Sequence, residues 1–94
     1  MKNKYDLNDF VKTLTEQSVL NGIVERVRER RKEIKLSQKE LAQRSGVSYA
    51  SIRRFESTGE ISFSSLLKIA SVLNALADFE KLFNTEIVSN LKEY

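Results

Sequence analysis

Residues 36–56 read LSQKELAQRSGVSYASIRRFE, and this stretch decides the fold. Ser37 followed by Glu40 has the S-x-x-E spacing of a capping box, in which each side chain satisfies an orphan backbone N–H at a helix start. Leu36 and Leu41 flank the cap at the spacing of a hydrophobic staple. Gly46 predicts the end of this helix, because glycine takes the left-handed cap conformation without a Cβ clash. Ser48 predicts the cap of a second helix, with Val47 and Ile52 as its staple. About three residues are left for the turn between the two.

The faces of the second helix follow from about 100° per residue. Ile52 and Phe55 point toward Leu41 and the small Ala42 of the first helix. Tyr49, Ala50, Arg53 and Arg54 occupy an arc of about 140° on the other side. A tightly turned helix pair with one greasy face and one basic, aromatic face is the layout of a helix-turn-helix, whose second helix enters the DNA major groove.

The residue types suit that task. Arg53 and Arg54 can fork onto guanine O6 and N7 or, alternatively, hold phosphates without reading bases. Ala50 offers a methyl to a thymine methyl, and Tyr49 a ring to a base edge or a hydroxyl to a phosphate. Ser37 and Gln38 open the first helix of the motif, where backbone N–H groups and the helix dipole favour a phosphate. Ser48 can cap its helix and touch DNA together, while Ser57, Thr58 and Ser64 have hydroxyls for backbone oxygens and each reads equally as a cap or turn residue.

Gln38, Leu41, Ala42, Gly46, Val47, Ile52 and Phe55-Glu56, without a gap, resemble the motif of the Cro/repressor-type helix-turn-helix regulators, the XRE family. The resemblance runs from about Ile23 to Leu73, since SFSSLLKIASVL is similar to the family's fourth helix. Ser45 stands where the family usually has an apolar side chain, and Ser62 where a proline is common. The resemblance implies an all-α, lambda-repressor-like domain, and a pass along the chain gives five or six helices. It also implies a partly buried ion pair between Arg31 and Glu56, fastening the first helix to the recognition helix. The alternative is that Arg31 snorkels to solvent along its methylene stem.

Charge is distributed to match. Residues 23–56 hold ten Lys/Arg and five Glu, a net +5, whereas residues 75–94 net −2 and the whole chain nets +3. Such asymmetry is the footprint expected for phosphate, although Lys and Arg are also common, soluble helix formers. The chain has no Cys and no His, which removes disulfides, Cys/His zinc sites and histidine-based catalysis. It shows no glycine-rich phosphate loop and no acidic pair in an apolar stretch, so an enzyme is not expected, and no cofactor. No run of 18 apolar residues and no signal peptide is present, which predicts a cytoplasmic protein without a membrane partner. RNA binding would call for an aromatic platform that the sequence lacks.

Length predicts one domain over 1–94, with extensions at 1–20 and 75–94. Asp6 predicts the cap of an N-terminal helix striped by Leu7, Phe10, Val11 and Leu14. Leu20, Ile23, Val24, Val27, Arg31 and Ile34 trace the inner face of the next. Phe63, Leu66, Leu67, Ala70 and Leu73 are core candidates of a helix opened by Ser62. From Asp78 onward, Phe79, Leu82, Phe83, Ile87, Leu91 and Tyr94 are spaced irregularly, and only a first turn of helix is expected. One recognition helix covers few base pairs, so a homodimer on double-stranded DNA is expected, joined through the N-terminal stripe or the C-terminal apolar set. Two functions fit: a repressor on an inverted-repeat operator, or an antitoxin that also binds a toxin. For the second, SIRRFESTGEISFSSLLKIASVL is similar to the HipB-type antitoxins, which implies a HipA-like kinase as toxin partner.

Overall fold

The computed structural model describes residues 14–86. Among them are five helices and no strand: α1 (Glu16–Glu33), α2 (Gln38–Ser45), α3 (Tyr49–Thr58), α4 (Phe63–Val72) and α5 (Leu76–Glu80). The expected all-α, helix-turn-helix architecture is therefore the observed one. The stripe Leu7, Phe10 and Val11, and likewise Ile87, Leu91 and Tyr94, lie outside the described residues; Leu14 is exposed.

The boundaries are set chemically. At the start of α2, Ser37 Oγ accepts from Glu40 N–H (3.0 Å) and Glu40 Oε1 from Ser37 N–H (2.8 Å), completing the capping box. That backbone bond and the Ser37 hydroxyl outweigh slight desolvation and hold Glu40 below its usual carboxylate range. Gly46 closes α2 at φ 78°, and Ser48 Oγ opens α3 by accepting from Ser51 N–H. Ser62 opens α4 in the same way, accepting from Ser65 N–H. A fourth cap was not anticipated: Thr15 and Ser18 form a reciprocal box at the start of α1.

Helix α2 packs against α3 and α4, α1 against α3, and α5 against α4. Leu36, Leu41, Val47, Ile52, Ile69 and Leu73 form the central cluster, so both members of each staple are buried. Phe55, Leu41, Ile52 and Ile69 are the largest fully buried side chains; burying each contributes about 1.5–3 kcal/mol. Ala42 packs on the edge of this cluster. Ser45 substitutes a hydrogen bond for an apolar contact, its Oγ accepting from Val47 N–H at 3.1 Å.

Four expectations are corrected. Ile34 is exposed rather than inward, because α1 stops at Glu33 and Ile34 is its C-cap; the left-handed Lys35 (φ 61°) then turns the chain so that Leu36 enters the core. Phe63 is also exposed. It is the first residue of α4, about 120° round from the buried Ile69, and its ring meets Phe79 instead at 6.1 Å between centroids. Leu66 and Leu67 are only partly buried. The single C-terminal turn exists but starts at Leu76, and Leu82 and Phe83 beyond it are exposed.

Candidate nucleic-acid interface

The recognition helix α3 is anchored from beneath by charge as well as by grease. Arg31 is buried on α1, and its Nε and Nη2 donate to Glu56 Oε2 and Oε1 at 2.8 and 2.9 Å. Its Nη1 donates to Leu36 O at 2.9 Å, so the same guanidinium holds the start of the α2 segment. The pair expected between Arg31 and Glu56 is thus present, bidentate and buried. Burial alone would push the Glu56 carboxyl up. Hydrogen bonds from Arg31 and Gln38, with the charges of Arg31 and Arg28, outweigh that and hold it below its usual range.

Two members of this network were not read from the sequence in these roles. Gln38 Nε2 donates to Glu56 Oε1 at 2.9 Å, so its side chain turns inward. What α2 offers outward at its start is backbone: Gln38 and Lys39 N–H precede the first intrahelical bond, from Leu41 N–H to Ser37 O. Arg28, half-buried on α1, donates through Nη2 to Glu56 O and brings Nε within 3.8 Å of Glu56 Oε1. Arg28 falls off the apolar stripe of α1, and its hydrogen-bond acceptor is a backbone carbonyl, so no side-chain pattern marks it. Arg30 is similar, donating to Leu73 O at 3.0 Å and tying α1 to the end of α4.

The outward face carries the four side chains assigned to it. Tyr49, Ala50, Arg53 and Arg54 are all exposed. Lys39 Nζ and Arg53 Cζ each lie 5.5 Å from the Tyr49 ring centroid, within cation–π range. The ring thereby links the start of α2 to the middle of α3, and Lys39 joins the basic face. Arg54 differs from its neighbour: its Nε donates to Glu60 Oε1 at 2.9 Å, and Nη2 contacts the same oxygen. A shallow, open depression runs across this face, floored by Glu56 and lined by Arg28, Gln38, Ala50, Arg53, Arg54 and Ser57.

The hydroxyl residues are all exposed but already have partners. Ser57 and Thr58 Oγ atoms donate to Arg54 O at 3.2 and 2.7 Å, and Thr58 Oγ1 also accepts from Glu60 N–H. Ser48 Oγ donates to Ser51 Oγ, and Ser64 Oγ lies 3.4 Å from Ser62 Oγ. Gly59 ends α3 at φ 85°, and a Cβ there would stand 2.9 Å from the Leu20 side chain. Close approach and backbone sign both require glycine at this position.

A separate apolar groove lies between α1, α4 and α5, lined by Ile23, Val27, Leu66, Leu73, Phe79 and Leu82 among others. Its α1 residues centre about 150° round that helix from Arg28, away from the basic depression.

Comparison with known proteins agrees with this arrangement. A helix-turn-helix family model matches residues 27–79, more than half of the chain. The match starts at Val27 rather than Ile23 and continues past Leu73 into α5, as far as Phe79. Neither the curated proteins nor the solved structures provide a match. With a capped helix pair, a basic face on the second helix and that match, the chain belongs to the helix-turn-helix family, as a DNA-binding transcription regulator of the XRE type.

Proposed function

We propose that the protein is a sequence-specific repressor that binds an inverted-repeat operator as a homodimer. The observation that carries this is the anchoring of α3: Glu56 and Phe55 are buried while Tyr49, Ala50, Arg53 and Arg54 face outward from the same helix. The division of labour follows from what each group has free. Arg53 and Arg54 read guanine edges, Ala50 meets a thymine methyl, and Tyr49 sets Arg53 while contacting a base edge or phosphate. The N–H groups of Gln38 and Lys39 at the start of α2, beside the Ser37 cap, take a phosphate. Ser48, Ser57, Thr58 and Ser64 are not free in this way; they reach flanking backbone oxygens by exchanging their present hydroxyl partners, setting register rather than sequence.

Helix α3 is about 15 Å long and spans few base pairs, so a second copy supplies the other half-site, about 34 Å away. The apolar groove, with Leu82 on its wall and the exposed Leu76 and Phe83 next to its lining residues in the chain, is the surface we assign to that contact. Sedimentation at micromolar concentration is expected to give a dimer, and Leu82→Glu a monomer with weakened operator binding; a monomeric wild type would overturn the assignment. The antitoxin reading draws on the same groove. It lies away from the basic face, so a protein partner such as a HipA-like kinase could bind there while DNA is held. Co-purification of such a kinase in place of a free homodimer would favour that reading.

A further inference from the structure

Glu60 is an exposed acid bonded to a cation of the recognition helix. Arg54 directs Nε and Nη2 at Glu60 Oε1, and the two side chains are 68% and 64% exposed. An ion pair so exposed contributes little to folding, so its effect must be sought in what Arg54 does. The position of Glu60 is well determined. Gly59 N–H donates to Phe55 O at 2.8 Å, reversing the chain at the end of α3. Glu60 N–H then donates to Thr58 Oγ1, which in turn donates to Arg54 O. The loop is laced to the very turn of helix that carries Arg54.

The guanidinium is planar, with five N–H donors. Glu60 takes the edge formed by Nε and Nη2. The remaining Nη1–Nη2 edge is the fork that matches guanine O6 and N7. A solvent-exposed arginine otherwise samples many rotamers, and ordering it on DNA costs entropy. The carboxylate does that ordering beforehand. It also cancels one positive charge that any phosphate would attract.

We infer that Glu60 is a positioning residue for Arg54, lowering affinity for DNA in general while raising discrimination at the base Arg54 reads. This rests on the DNA reading of α3 given above. The test compares wild type, Glu60→Gln, Arg54→Ala and the double variant on a selected operator duplex and a random duplex across salt. Glu60→Gln is expected to bind the random duplex more tightly, with a salt slope steeper by about one. Its operator-to-random ratio falls at least about fivefold. In the Arg54→Ala background the same substitution leaves the ratio unchanged. Equal shifts on both duplexes, no shift on either, or an equal loss of ratio without Arg54 would overturn the inference. A wild type that binds no duplex would sink the DNA reading itself, a distinguishable failure.

Discussion

Replacing Glu56 by alanine strands a buried charge. The carboxylate accepts two bonds from Arg31 and one from Gln38, and Arg28 stands 3.8 Å away. Without it, Arg31, 8% exposed, keeps only its bond to Leu36 O. Breaking a buried pair from one side costs about 3–5 kcal/mol. A domain of this size is stabilised by about 5–14 kcal/mol, so the loss is a large share of the total. At about 4–8 °C per kcal/mol, Tm drops by at least about 12 °C. Thermal unfolding followed by far-ultraviolet circular dichroism reads this directly. The paired replacement Arg31→Met with Glu56→Leu removes both charges together and is expected to recover most of the loss. An alanine variant melting within about 2 °C of wild type would refute the reasoning, as would a double variant no more stable than the single one.

Other expectations follow from the same contacts. Because the Glu56 carboxyl is held below its ordinary value of 4.5, its stabilisation is present above that pH and lost as pH falls through the depressed value. Urea midpoints should therefore drop between pH 6 and pH 3 by more in wild type than in Glu56→Gln; an equal drop would place the acid sensitivity elsewhere. Gly46→Ala meets nothing within 4 Å and bears only the left-handed backbone cost, about 1–2 kcal/mol. Gly59→Ala adds the Leu20 contact at 2.9 Å and should be the more destabilising of the two in chemical denaturation. Arg53→Ala and Arg54→Ala should change the base preference at different positions of the half-site; a uniform loss on every sequence would make both arginines phosphate contacts.

What could be read beforehand was whatever the chain encodes locally. Caps and staples depend on residues within five of one another, so Ser37–Glu40, Gly46, Ser48 and Ser62 were legible, and with them α2, α3 and the start of α4. The Arg31–Glu56 pair spans 25 residues. It was reached through the family resemblance, with an arginine on an apolar stripe as its only local sign. The contacts that escaped end on backbone carbonyls or exposed side chains: Arg28 on Glu56 O, Arg30 on Leu73 O, Glu60 on Arg54. Backbone acceptors leave no trace in a hydrophobic pattern. Gln38 opens a helix, where the sequence predicts a phosphate contact, yet its side chain donates to Glu56. Ile34 falls past the last helical residue of α1, where the period of 3.6 no longer governs which way a side chain points, whereas Phe63 lies inside α4 but about 120° from Ile69, the face the core takes.

On the proposed reading, α3 reads DNA sequence from a basic mount. Selection of bound sequences from random duplexes, repeated at 50 and 200 mM salt, tests it most directly. An inverted repeat with half-sites about one helical turn apart is expected, with an affinity falling about 10³–10⁵-fold between the two salts, as for about 6–10 phosphate contacts. Failure to enrich any sequence at either salt would contradict it.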